Sequence, residues 1–342
     1  MKIDELIFGF NISLFTASCI LIVLWLAIKT YCERMPKKSF IKETPTNILI
    51  TGGAQGIGKL LAEKFASSSE IGSVNLIVCD IREDLGKEMI ADVKKASGDV
   101  TFKGIHFYKT NLANHDDIEH LWKTITAEHG EIHILINNAA RCIGKRVDEL
   151  SIQQVKLTMD INFHSYIHLS MLFMHQEGLK NRKDTKKTRF HLVNVSSIAG
   201  HMTCQRNSDY SASKFALNGF IEALRQEVEN NDSTRFNGPS YKITTFYPYF
   251  INTGLFEGYK PKMSYILPTL DAHYVVNRMY NAILAEEKEV YIRGVIFWLK
   301  CITAMLPLFL RDWLSHVLVG EGMEHFVGRV DAMNMEANKK TK

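Results

Sequence analysis

Apolar positions are distributed along this chain in two different ways. Residues 6–28, LIFGFNISLFTASCILIVLWLAI, form one run of 23 residues without a charge. From about residue 46 the pattern changes to short apolar runs at 47–50, 74–79, 133–137, 190–195, 242–246 and 289–292. Longer amphipathic spans such as 59–67 and 116–129 separate them. Strands that are apolar almost throughout, alternating with helices, predict a parallel sheet buried on both faces.

At about 1.5 Å per residue the N-terminal run reaches about 34 Å as a helix, enough for a hydrocarbon layer about 30 Å thick. It starts from MKIDE and ends at Trp25 and Leu26, without the small-residue cleavage site of a signal peptide, so an uncleaved anchor is expected. Lys29, Arg34, Lys37, Lys38 and Lys42 follow it against Glu33 alone, which places the remainder on the cytosolic side. Crossing the bilayer and insertion into one leaflet both remain open.

Composition narrows the partners. The chain has 342 residues, 46% hydrophobic and 23% charged, with 41 Lys and Arg against 37 Asp and Glu. A net charge of +4 with no zinc-finger spacing argues against a nucleic-acid partner. Six scattered cysteines, Cys19, Cys32, Cys79, Cys142, Cys204 and Cys301, include no CxxC pair, so free thiols are expected and no metal site. The basic stretch 180–189 reads as a solvated loop.

After the first short run comes Thr51-Gly52-Gly53-Ala54-Gln55-Gly56-Ile57-Gly58, opening a helix. Gly52 permits a tight turn, Gly56 a close approach of backbone to a diphosphate, and Gly58 close packing of helix on strand. The helix N-terminus then offers free N–H groups to the phosphates. Asp80 ends the second run, 22 residues beyond Gly58, where an acid accepts hydrogen bonds from an adenosine ribose. Its charge repels a 2′-phosphate and favours NAD over NADP, with Arg82 close enough to keep NADP open.

Tyr210 and Lys214 stand four apart in Tyr-Ser-Ala-Ser-Lys, on one face of a helix. Ser197 lies 13 residues before Tyr210, and Asn162 lies on an earlier helix. A free phenol titrates near 10, and a neighbouring ammonium is expected to lower that value and make Tyr210 a proton donor and acceptor. Ser197 would hold the substrate oxygen.

The spacing of Gly52, Gly56 and Gly58, the element Asn137-Asn138-Ala139-Ala140 and the set Asn162, Ser197, Tyr210 and Lys214 resemble the short-chain dehydrogenase/reductase family, over about residues 46–260. The resemblance implies a doubly wound Rossmann-type parallel sheet. It further implies that Gln55 and Ile57 in the glycine loop, Asn111, Leu112, Asn138 and Ala139 hold the dinucleotide with Asp80, and that Lys214 reaches the nicotinamide ribose. Asn162 would position a relay water. Pro248, Ile251 and Thr253, in Tyr247-Pro248-Tyr249-Phe250-Ile251-Asn252-Thr253-Gly254, would close over the nicotinamide. Tyr249 stands where the family has Gly, Ala140 where it has a second Gly, and Asn111 where it has Asp.

The wording of that loop, together with the anchor, is most similar to the membrane-anchored hydroxysteroid and retinol dehydrogenase branch. This implies an enzyme of the endoplasmic reticulum or lipid droplet that interconverts hydroxyl and carbonyl groups of a retinoid, steroid or long-chain alcohol. Three regions follow: an anchor and basic linker (1–45), the dehydrogenase domain (46–293) with a lid (254–272), and an apolar helical extension with a polar tail (294–342). Residues 295–310 read as a helix lying on the same membrane, with a core or oligomer contact as the alternative. A homodimer is admissible. An NADP-dependent lipid ketone reductase and a coat protein with vestigial activity stand as rival readings.

Overall fold

The computed structural model describes residues 46–68, 70–97, 102–176, 189–229, 240–260, 262–265, 267–319, 322–324 and 326. The expected anchor at 6–28, its basic flank, nearly all of the basic stretch 180–189 and the polar tail lie outside the described residues. Among those described, no helix is long and apolar enough to cross a membrane.

Seven strands form one parallel sheet: β1 (Thr46–Thr51), β2 (Val74–Asp80), β3 (Phe102–Lys109), β4 (Ile134–Asn137), β5 (Arg189–Val195), β6 (Ser240–Tyr247) and β7 (Glu289–Tyr291). Their order is β3-β2-β1-β4-β5-β6-β7. Every residue of β1 and β4 is buried, as both faces of the sheet are covered. Helices α1 (Gly56–Ala66), α2 (Glu83–Ala96) and α7 (Ala272–Leu284) cover one face through Leu61, Phe65, Val93 and Met279. Helices α3 (His115–His129), α5 (Ser165–Met174) and α6 (Ser208–Glu229) cover the other through Leu121, Ile125, Phe173 and Leu217.

Between β1 and β4 the strand order reverses direction, which opens a crevice at the carboxyl ends of these two strands. The functional site lies there. The helix that follows β4 is started by a reciprocal cap: Ser151 Oγ accepts from Gln154 N–H, and Gln154 Oε1 accepts from Ser151 N–H. It runs as α4 (Ile152–Met159), a π segment Asp160–His164 and then α5, with helical backbone at both junctions.

The apolar stretch 295–310 is two helices, α8 (Gly294–Met305) and α9 (Leu308–Leu318), divided at Leu306 and Pro307. Pro307 has no N–H to continue the first helix. One face of α8 packs into the body through Ile296, Leu299 and Thr303. Trp298, Ile302 and Met305 remain exposed. The extension therefore has one face in the core and one bare apolar face, and the single helix expected over 295–310 is broken at Pro307.

Candidate active site

The glycine loop has the conformation its spacing predicts. Gly52 has φ +62 and Gly56 φ +59, the left-handed region open to glycine. A Cβ on Gly52 would lie 2.7 Å from Ala139 Cα, and one on Gly58 would lie 2.6 Å from Gly52 O. Gly58 therefore serves packing and does not line the cavity. At the start of α1 the cap residue Gln55 makes no side-chain capping bond, and the first turn carries no acid. Helix α3, by contrast, is capped by Asn114. The first N–H groups of α1 are thus left for an anion.

The loop is tied down from two sides. Asp80 Oδ2 accepts from Ala54 N–H and its Oδ1 from Arg82 N–H, each at 3.1 Å. Asn138 Nδ2 donates to Thr51 O at 2.9 Å and Gly52 O at 3.1 Å. Thr51 Oγ1 accepts from the N–H groups of Asn138 and Ala139. The amide nitrogen of Asn138 is thereby spent on holding β1 to β4. Arg82 grips Asp84 with Nε and Nη2, at 3.0 and 2.7 Å. Asn111 Oδ1 accepts from Ala113 N–H within its own turn.

These residues surround a cavity of about 320 Å³. Gly52, Gln55, Gly56, Ile57, Asp80, Asn111, Leu112, Asn138, Ala139, Pro248, Ile251 and Thr253 line it, together with Ser197, Tyr210 and Lys214. Asn162 does not. It is fully buried in the π segment, where its Oδ1 accepts from Arg141 N–H and its Nδ2 donates to Arg141 O, both at 2.8 Å. Nδ2 also donates to Ser213 Oγ at 3.1 Å. A water-positioning role for the side chain would require one of these bonds to open.

Tyr210 and Lys214 sit in the first two turns of α6, and both are buried. Lys214 Nζ donates to Val195 O at 3.0 Å and lies 5.7 Å from the centre of the Tyr210 ring and 5.0 Å from that of Tyr166. Burial brings the Lys214 amine down to about 7. The Tyr210 phenol goes the other way: burial lifts it above its ordinary range, the Cys142 thiol adds to the rise, and a hydrogen bond with Ser197 opposes it. The expected lowering of the phenol by its amine neighbour is thus not present in the protein alone: burial raises the phenol, and the amine, brought down to about 7, is uncharged where the phenol titrates. Ser196, next to Ser197, instead bonds to Asn218.

A smaller apolar recess of about 40 Å³ adjoins the cavity. Ser197, Tyr210, Tyr249 and Phe256 line both spaces. Ile296, Leu299 and Val319 from the C-terminal extension form part of the recess wall, a contribution the apolar pattern of 295–310 did not signal. From the segment 254–272, Phe256 and Tyr259 pack at the site. Phe256 stands edge-on to Tyr210 with ring centres 5.8 Å apart, and Tyr249 Oη bonds Tyr259 Oη at 2.6 Å. Arg141 and Cys142 also line the larger cavity. Their position directly after Asn137–Ala140 was the one sequence signal for them.

The family profile described as short chain dehydrogenase matches residues 46–262. The chain belongs to the short-chain dehydrogenase/reductase family. It is an NAD(P)-dependent oxidoreductase. Mouse epidermal retinol dehydrogenase 2 is 28% identical over 316 residues, covering 91% of this chain and 94% of the mouse protein. Bovine short-chain dehydrogenase/reductase family 16C member 6 is 33% identical over 259 residues, 75% of each chain. Human estradiol 17-beta-dehydrogenase 11 is 30% identical over 260 residues, 76% of this chain and 79% of the human one. In fold, the chain is similar to a family member from Burkholderia phymatum crystallised with NAD, with TM-score 0.62 and 20% identity over 78% of this chain and 94% of that one. A metagenomic family member crystallised with NADP gives TM-score 0.55 and 18% identity, covering 72% of this chain and 96% of that one.

Proposed function

We propose that the protein interconverts a hydroxyl and a carbonyl group on a lipophilic substrate (retinoid, steroid or long-chain alcohol), using NAD, at an endoplasmic reticulum or lipid-droplet membrane. The observation that carries this reading is that Ser197 and Tyr210 line both the larger cavity and the smaller apolar recess. A proton-transferring pair there faces the proposed dinucleotide cleft on one side and an apolar wall on the other.

The cavity suits the dinucleotide: an uncapped helix N-terminus for the diphosphate and a buried carboxylate, Asp80, for the adenosine ribose. NAD is favoured because Asp80 lines the cavity while Arg82, the nearby cation, is held by Asp84. A nicotinamide dinucleotide held there would supply the hydride acceptor or donor. In the oxidation direction Tyr210 Oη, once deprotonated, would take the O–H proton of the carbinol. Reduction reverses the proton transfer, with Tyr210 as the acid. Ser197 donates a hydrogen bond to the same oxygen and stabilises its developing charge. A Lys214 amine that titrates near 7 exchanges its proton at working pH.

The bare face of the extension supports the membrane reading. Trp298, Ile302, Met305, Leu308, Phe309 and Trp313 are exposed on α8 and α9, a concentration of apolar and aromatic surface suited to a lipid interface. Cytosolic orientation rests on the basic flank after residue 28. In relatives, the names record retinol and estradiol as substrates.

The test is NAD-linked turnover of retinol, a hydroxysteroid and a long-chain alcohol by detergent-solubilised full-length protein. Turnover of at least one class, with tighter binding of NAD than NADP, is expected. Tighter NADP binding would overturn the use made of Asp80. NADH binding without turnover of any class would favour a coat protein with a vestigial site.

A further inference from the structure

Four charged side chains line the large cavity, and three are accounted for. Asp80 holds the glycine loop, Arg82 is clamped by Asp84, and Lys214 is bonded to Val195 O. Arg141 is different. Among the described residues its guanidinium forms no ion pair, and its Nε is buried without a hydrogen-bond partner. A buried N–H with nothing to bond is rare and costly, and it marks a position waiting for an acceptor.

The main chain beneath this side chain is unusually well fixed. Asn162 takes both the N–H and the C=O of Arg141, so the residue is pinned from an independent helix. Tyr166 Oη donates to Ala139 O, two residues earlier, and steadies the same strand end. Gly52, Gln55 and Gly56, at the uncapped start of α1, line the same cavity. That turn supplies N–H donors and a partial positive charge but no side-chain cation for an anion.

We propose that Arg141 is a second anchor for the dinucleotide's diphosphate, closing on it from the β4 side while the α1 N-terminus holds it from the β1 side. The inference rests on the dinucleotide reading of this cavity. A guanidinium matches phosphate with two parallel N–H bonds, and here its bonding partners would also satisfy the orphaned Nε. Asn162 is accordingly a positioning residue: it sets where the guanidinium stands.

The test uses full-length protein in detergent and equilibrium binding of NADH, ADP-ribose and adenosine to wild type, Arg141→Met and Arg141→Lys. NADH and ADP-ribose share the diphosphate; adenosine lacks it. In Arg141→Met, NADH and ADP-ribose should weaken by the same factor, roughly 10- to 100-fold, while adenosine is unchanged. Arg141→Lys should recover part of the loss, and the salt dependence of NADH binding should become shallower in the Met variant. If the Met variant also loses adenosine binding, Arg141→Gln replaces it and should show the same split. Unchanged NADH and ADP-ribose affinity would overturn the proposal. So would a loss confined to the KM of a lipid alcohol bearing a carboxylate, which would assign Arg141 to substrate. Failure of wild type to bind NADH would overturn the dinucleotide reading itself.

Discussion

Replacing Lys214 by Met is expected to make the protein more stable while ending catalysis. The amine is fully buried and its titration falls from 10.5 to about 7. That drop corresponds to protonation less favourable in the fold by on the order of 5 kcal/mol. Lys214 recovers part of this through its hydrogen bond to Val195 O, which Met loses, leaving that carbonyl only the longer bond from Tyr166 Oη at 3.3 Å. The net gain for Lys214→Met near neutral pH should be about 1–3 kcal/mol.

The sign with pH is fixed by the direction of the shift. Between about pH 7 and 10.5 the unfolded chain binds a proton at this amine that the folded chain does not, so wild-type stability rises with pH through that window. The advantage of the Met variant should therefore be largest at or below pH 7 and shrink by about 2–3 kcal/mol by about pH 9. Chemical unfolding of both proteins at three pH values reads this directly. A Met variant less stable than wild type at pH 6.5, or an advantage independent of pH, would refute the reasoning.

Two other perturbations reach different parts of the structure. Gly52→Ala should destabilise by about 2–4 kcal/mol and weaken NADH binding, because φ is +62 and the new Cβ meets Ala139 Cα at 2.7 Å; unchanged unfolding and binding curves would count against the loop geometry. The pair Phe309→Glu and Trp313→Glu, on a face where these side chains are 70% and 61% exposed, should raise KM several-fold for substrate dissolved in vesicles but not for a short water-soluble alcohol. Equal effects on both substrates would remove this face from the membrane.

Much of the frame is readable in the apolar pattern, for a physical reason. Strands β1, β2 and β4 to β7 carry apolar runs because helices cover both sides of the sheet. Strand β3 escapes that reading. It is an edge strand in which only Ile105 is buried, and Lys103, His106 and Tyr108 interrupt its apolar pattern. The glycine spacing and the four-residue step from Tyr210 to Lys214 are equally legible, since each depends on local geometry.

What depends on distant parts of the chain is not legible. The rise of the Tyr210 phenol follows from burial depth, which no local spacing encodes. The grip of Asn162 on Arg141 joins residues 21 apart across two elements. Ile296 and Leu299 reach the recess beside Ser197 from about a hundred residues away, so their apolar character alone pointed only to a buried or interfacial face.

A single phenol at the junction of cleft and recess is asked to move the substrate proton. The most direct measurement is single-turnover hydride transfer in Tyr210→Phe, monitored by NADH absorbance, beside equilibrium NADH binding to the same protein. The variant should bind NADH within about 2- to 3-fold of wild type and lose roughly 10²- to 10⁴-fold in transfer rate, the contribution typical of a positioned proton donor. Transfer at the wild-type rate in a variant that binds NADH normally would contradict the assignment of Tyr210.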